Sequence, residues 1–351
     1  MNIRTGNIEP IATFIDDAIQ HDKSFAIALL PGSPLPYTFG FHENNVSTTE
    51  AQEKSSVSFE IIPWLGKYNN RCVFTHNKII NPSVLGSTDH IPTESTSLQA
   101  YYNATDAAIT RCKERNGKTV ISRVICGKFN ECKPTIGNIT ERLFKKYPNT
   151  FRYIYYTPAT GGWLAATPET LADIDMDANQ VSTMAFAGTR RAGTLSQWDN
   201  KNRKENTFVV DYIVNRLQSL GLRAEVSDGE NVLFGEIEHL CRRITAKISA
   251  DVSVENIIDA LNPTPALCGV PIEDAIHDIA SLEAHPRGCY GGVVALSTNR
   301  RYRAFVNLRC MQFSCRSYCI YGGGGITPDS DTETEYLETE AKTSFLQSLV
   351  K

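Results

Sequence analysis

Several features are missing from this sequence, and each absence removes a class of function. No apolar run approaches the ~18 residues that a membrane-crossing helix needs, so no helical span and no membrane partner are expected. No stretch gathers Lys and Arg into the basic stripe that tracks a phosphate backbone. The 35 Lys plus Arg stand against 39 Asp plus Glu, a formal charge of −4, and nucleic acid is not an expected partner. No two of the ten cysteines (72, 112, 126, 132, 241, 268, 289, 310, 315, 319) form a CxxC pair. Cys310, Cys315 and Cys319 cluster on apolar segments, where cysteine behaves as a small hydrophobe, so reduced core thiols are expected. Acidic residues interrupt the amino-terminal segment where a signal peptide needs an apolar stretch, and a cytoplasmic location is the expectation. Neither an internal repeat nor a G-x-G-x-x-G or Walker sequence is found.

What remains is an ordinary globular composition, 41% apolar and 21% charged over 351 residues. A chain of this length buries roughly three quarters of its unfolded surface without staples. The pattern predicts an opening helix and then strands at 24–32, 56–64 and 71–80, with polar loops at 43–56 and 87–97. A helix is predicted at 98–117, stopped by Gly117, and a strand at 118–129. Helix, strand, turn and strand follow over 139–175, then a turn-rich segment at 184–193 and a long helix from Asp199 to Leu220. Helices at 254–261 and 272–284, strands at 288–297, 302–313 and 317–326, and a helix at 332–349 complete the reading. Antiparallel-looking strands with clustered helices predict an α+β fold, one large domain over 1–351 of antiparallel sheets flanked by helices.

Glu205 opens a helix and shares the face of Val209 and Ile213, its buried edge. Glu335, Glu338 and Lys342 share one face of the last helix. Carboxylates from two helices with room for water would suit Mg²⁺, a hard cation that keeps several waters; solvated surface glutamates fit the spacing too. The run Gly322–Gly325 lies after a strand and before a helix. It suits either an anion nest or a flexible turn. Arg309 has apolar neighbours and suits a carboxylate clamp or an outward position on a strand. His239 sits among apolar residues, where a hydrogen-bonded core histidine is the commoner outcome. By pattern Lys118 is an exposed lysine after a turn, and Glu169 a first-turn helix acid.

Taken together, the segments 118–123 (KTVISR), 167–171 (TPETL), 185–193 (AFAGTRRAG), 201–213 (KNRKENTFVVDYI), 238–240 (EHL), 262–271 (NPTPALCGVP), 287–296 (RGCYGGVVAL), 306–310 (VNLRC) and 322–342 (GGGGITPDSDTETEYLETEAK) resemble the chorismate-utilising enzymes. That family holds isochorismate synthase, salicylate synthase and the first components of anthranilate and aminodeoxychorismate synthases. The resemblance covers the motif-bearing part, 96–351, and leaves 1–95 as a divergent amino-terminal part. It implies Mg²⁺ on Glu205 and Glu338 with Glu335 nearby, Lys118 as base for water, and Glu169 as acid for the leaving hydroxyl. It places Arg309, Tyr290 and the Gly323 backbone at the enolpyruvyl carboxylate. Gly188, His239, Ala266 and Leu267 would line the ring. For these roles Lys118 must be neutral and Glu169 protonated, which calls for opposed pKa shifts.

Ammonia-using relatives usually carry Gln at the place of Lys118, so water is the implied nucleophile. Ala187 stands where aminodeoxychorismate synthases have a nucleophilic lysine. Asn202, three before Glu205, and the NPTPALCG stretch resemble the menaquinone type of isochorismate synthase. The implied reaction converts chorismate to isochorismate, with no glutaminase subunit and a monomeric chain. Salicylate synthase, anthranilate synthase component I and an inactive chorismate-binding module are the alternatives. The continuation HLCRRITAKI and the replacement of a usual G-A-G by GGGG depart from the family pattern.

Overall fold

The computed structural model describes residues 9–40, 57–129, 134–234 and 237–351. The loop expected at 43–56, the first residues of the opening helix and Cys132 lie outside them.

Two antiparallel sheets form the centre. The first runs β14 (Gly269–Val270), β6 (Lys118–Lys128), β18 (Ser317–Ile326), β17 (Cys310–Phe313), β8 (Gly161–Thr167), β7 (Phe151–Thr157), β1 (Phe25–Leu29), β2 (Tyr37–Gly40). The second runs β11 (Ala224–Val226), β13 (Ile237–Lys247), β10 (Gln180–Arg191), β9 (Thr170–Asp175), β16 (Arg301–Val306), β15 (Val293–Ser297), β3 (Ser58–Ile62), β4 (Cys72–Phe74), β5 (Ile79–Ile80), with β12 (Glu230–Phe234) also on β13. The helices are α1 (Glu9–Gln20), α2 (Leu98–Arg115), α3 (Ile136–Lys146), α4 (Asn200–Ser219), α5 (Val254–Leu261), α6 (Ile272–Leu282) and α7 (Thr332–Leu349). This is the α+β architecture that the sequence predicts.

Strand alternation explains how the sheets meet. In β1, Ala26 and Ala28 turn towards the second sheet, while Phe25, Ile27 and Leu29 pack with Ile15 of α1 and Leu143 of α3. Small residues on the inner face admit large aromatics from opposite strands. Phe59 of β3 meets Tyr153 of β7 at 5.4 Å, and Phe151 stacks on Phe305 of β16 at 4.2 Å. Behind the second sheet, Val209 and Ile213 of α4 join Val181 and Ile244 in the same core.

Two segments differ from the sequence reading, and a third decides between its alternatives. The turn-rich stretch 184–193 lies mostly in β10, which carries a bulge between Phe186 and Thr189. The segment 302–313 is two strands, because the chain breaks at Arg309 (φ +52°) and crosses from the second sheet into the first. The strand expected at 317–326 is observed as β18, and the four glycines lie in its ladder with β6, which removes the alternative of a turn. Cys315 is exposed, unlike the buried Cys310 and Cys319.

The chain also crosses between sheets from β8 to β9, at Thr167–Pro168–Glu169. The two crossings are fastened together: Thr167 Oγ1 donates to Val306 O at 2.7 Å, and Val306 N donates to Glu169 O at 3.0 Å. Chemistry-bearing side chains therefore collect where both sheets exchange strands. Since Phe151 fills the contact between the sheets, Phe151→Ala is expected to cost about 3–5 kcal/mol of stability. Chemical denaturation measures it, and a loss below about 1 kcal/mol would contradict face-to-face packing there.

Candidate active site

One pocket opens at these crossings. It is lined by Glu169, Gly188, Glu205, His239, Ala266, Leu267, Tyr290, Arg309 and Gly323, all singled out from sequence. Phe186, Thr189, Leu308, Tyr321 and Lys342 line it as well and were not. Lys342 had a visible signal, its shared helix face with Glu335 and Glu338. Lys118 and Glu338 are not in the lining but are ion-paired to it, at Glu205 and Lys342, and Glu335 is joined to Glu205 through Lys201.

Lys118 begins β6 and is fully buried, contrary to the exposed position that pattern alone suggests. Its Nζ lies 3.0 Å from Glu205 Oε1, without a well-formed hydrogen bond. Glu205 is buried on the α4 face of Val209 and Ile213, as its spacing predicts. Burial pushes its carboxyl up, but Lys118 and Lys201 outweigh that and hold it below the usual range. Lys201 lies 3.7 Å from Glu205 and 2.9 Å from Glu335. Lys342 lies 2.5 Å from Glu338, and against burial it and Lys201 hold that carboxyl down to about 2. Burial raises Glu335, whose Oε2 has no hydrogen-bond partner.

The glycine run makes room for these groups. A Cβ on Gly325 would stand 2.1 Å from Glu205 Oε1, and one on Gly324 3.0 Å from Glu335 Oε2. On β6, the N–H groups of Val120, Ser122 and Val124 point away from β18, to Cys268 O, Glu283 Oε1 and Thr96 Oγ1. In an antiparallel ladder their partners Gly325, Gly323 and Tyr321 must likewise point away from β6. Lys342 Nζ accordingly reaches the Gly323 carbonyl at 2.8 Å.

Arg309 is buried at the β16–β17 break and has no carboxylate partner among the described residues. It donates to Lys342 O at 2.8 Å, and its Nη2 lies 3.1 Å from His239 Nε2. A guanidinium only donates, so Nε2 accepts and the ring proton sits on Nδ1, within 3.3 Å of Gly188 O and 3.2 Å of Thr189 Oγ1. Burial, then Arg309, pushes His239 well below its ordinary value, so the imidazole is neutral. Burial outweighs the pull of Tyr147 and Glu338 and brings Arg309 down to about 10. Gly188 (φ +88°) forms the bulge, and Thr189 N donates to Asn202 Oδ1 at 2.9 Å. Asn202 thus ties the bulge to the first turn of α4, which Asp199 caps at 2.7 Å.

Glu169 sits between two strands rather than in the first turn of a helix. It is buried, and burial raises its carboxyl to about 8 despite Lys118 and Lys342. The pocket therefore holds a protonated acid, ionised carboxylates against lysines, and a guanidinium lacking an anion. Hard-oxygen chemistry suits a divalent cation, and the orphaned Glu335 oxygen offers it a ligand. No three acidic, histidine or cysteine side chains form a ready cage among the described residues. Mg²⁺ commonly uses only one or two carboxylates, so Glu205 and Glu338 suffice.

A carboxyl raised by burial binds its proton more tightly folded than unfolded. Stability is thus lost as pH rises from Glu169's ordinary value of 4.5 towards about 8. Glu169→Gln is expected to raise the unfolding midpoint over wild type, with a gap that opens across this window and stays constant above it. Thermal unfolding against pH checks this, and a pH-independent gap would contradict it.

Residues 39–351 match the family model described as "Chorismate binding enzyme", which extends the likeness well into the part read from motifs as divergent. Isochorismate synthase MenF of Haemophilus influenzae is 28% identical over 215 residues, 58% of this chain and 50% of that protein. Isochorismate synthase 2, chloroplastic, of Arabidopsis thaliana is 26% identical over 283 residues, 76% of this chain and 49% of that protein. The chain spans about half the length of the curated relatives it matches. Among solved structures, the menaquinone-specific isochorismate synthase MenF of Escherichia coli aligns at a TM-score of 0.73 and 18% identity, covering 94% of this chain and 89% of that one. Anthranilate synthase component I of Streptococcus pneumoniae aligns at 0.65 and 16%, covering 92% and 89%. Fold and family model agree: the chain belongs to the chorismate binding enzymes.

Proposed function

We propose that this protein is an isochorismate synthase of the menaquinone type, adding water at C2 of chorismate as the C4 hydroxyl leaves. The observation that carries the reading is the opposed charge within one pocket. Glu169 keeps its proton at neutral pH, while its acidic neighbours are held ionised by lysines.

Chorismate is a dianion, and its desolvation must be offset inside the protein. Arg309, buried without a carboxylate, takes the enolpyruvyl carboxylate, with the Tyr290 hydroxyl and the outward Gly323 N–H as further donors. The neutral ring of His239 fixes the Arg309 fork and, with Gly188, Ala266 and Leu267, lines the space for the substrate ring. Mg²⁺ held by Glu205 and Glu338, with Glu335 nearby, would supply positive charge for the ring carboxylate.

Lys118 is the base. It takes a proton from the water whose oxygen bonds to C2, the two ring double bonds shift, and the C4–O bond breaks. Glu169 gives its proton to the departing hydroxyl, which leaves as water. The core shared by both sheets supports one domain over 1–351, and no glutaminase subunit is needed because water is the nucleophile. A monomeric, cytoplasmic chain completes the reading; no helix among the described residues is long and apolar enough to cross a membrane.

Incubation with chorismate and Mg²⁺, with and without ammonium, followed by chromatography, tests this. Isochorismate as the sole product is expected, insensitive to ammonium. Lys118→Ala and Glu169→Gln should each lower the rate roughly 100- to 10,000-fold, the range for loss of a general acid or base. Salicylate with pyruvate would move the protein to the lyase branch. Anthranilate formed with ammonium would overturn the role of Lys118, and binding without turnover would leave an inactive chorismate-binding module.

A further inference from the structure

The pocket uses none of the cysteines, yet two of them form a pair. Cys126 of β6 stands directly opposite Cys319 of β18, and their sulfurs are 3.1 Å apart, nearer than ordinary contact between two sulfur atoms. No other two cysteines among the described residues come within hydrogen-bond reach of each other.

Backbone register explains the closeness. Cys126 N donates outward to Ser95 Oγ at 2.9 Å, just as Val124 N donates outward to Thr96 Oγ1. Cys126 and Cys319 therefore occupy a non-hydrogen-bonded pair of the ladder, where facing Cα atoms lie about 4.5 Å apart and side chains are closest. That separation falls within the range a disulfide spans, so bond formation needs only a small motion of the two sulfurs.

We propose that Cys126 and Cys319 are a redox pair that closes to a cross-strand disulfide when the protein meets a peroxide-class oxidant. Cys126 is half-buried and open to the oxidant, whereas Cys319 is fully buried behind it. The hydrogen bond shared with Cys319 lowers the Cys126 thiol, while burial raises Cys319 itself. Their order of reaction follows. The Cys126 thiolate attacks one peroxide oxygen, the O–O bond breaks, and the other oxygen leaves as water after taking up a proton. The resulting sulfenic acid is then attacked by Cys319 sulfur; the S–O bond breaks, and a second water leaves with the Cys319 proton. The two sulfurs together lose two electrons, and these reduce the peroxide.

The bond would join the strand that starts at Lys118 to the strand that carries Gly322–Gly325. It would close a separation of 193 residues along the chain. Cross-linking across so long a loop restricts the unfolded chain, so the oxidised protein should be the more stable form.

Tryptic cleavage isolates every relevant thiol: Cys126 in 124–128, Cys319 in 317–342, Cys132 in 129–142 (the Lys133–Pro134 bond resists trypsin) and Cys315 in 310–316. The full chain carrying Cys315→Ser is treated with hydrogen peroxide, its free thiols are alkylated, and the digest is analysed by mass spectrometry. The expected result is peptide 124–128 joined to 317–342, together with a raised unfolding midpoint that dithiothreitol returns to its starting value. Cys126→Ser should abolish both effects. Cys319→Ala should leave Cys126 as a sulfenic acid that dimedone captures. Both thiols alkylated after peroxide, or Cys126 joined to Cys132, would overturn the proposal.

Discussion

The constraint on which this structure depends is the cost of burying charge. A carboxylate taken out of water without a partner is far more expensive than any single packing contact, and a protein avoids this by pairing the group or protonating it. Both outcomes occur here within one pocket. Glu205 and Glu338 remain ionised because Lys118, Lys201 and Lys342 stand against them. Glu169, which forms no ion pair among the described residues, is neutral instead, its carboxyl raised by burial to about 8 despite Lys118 and Lys342.

The fold supplies this arrangement through its two crossings. If β8 ran on into β9 within one sheet, Glu169 would face a hydrophobic core or solvent. Because the chain changes sheets there, and again at Arg309, two side chains of opposite character enter one space from different layers. The column Gly322–Gly325 is the complementary device. Side chains on either face of β18 would fill the recess that Glu205, Glu335 and Tyr290 occupy, so the strand is stripped to backbone where the groups meet.

Much of this was legible in sequence, for identifiable reasons. Val209 and Ile213 at helical spacing from Glu205 told which edge of α4 is buried, and strand periodicity told that the sheets are antiparallel. Other features were not legible, since they depend on tertiary contact. Lys118 reads as a surface lysine because nothing local announces that Glu205 and β18 will enclose it. Four successive glycines at the end of a predicted strand suit a turn as well, because local propensity knows nothing of Thr343, Tyr290 or Glu335 pressing on that strand. Arg309 reads as one residue of a continuous strand, although its left-handed backbone is what breaks that strand. The neutral state of His239 follows from burial and from Arg309, 70 residues away along the chain.

The most direct test of this account is the titration of Glu169 itself. Carbon-13 NMR of the glutamate carboxyls, with Glu169→Gln to assign the signal, reads that group in the intact protein. The account predicts a carboxyl that titrates near pH 8, well separated from every exposed glutamate. A Glu169 signal that titrates close to 4.5, like an ordinary carboxylate, would contradict the claim that this pocket stores a proton for its chemistry.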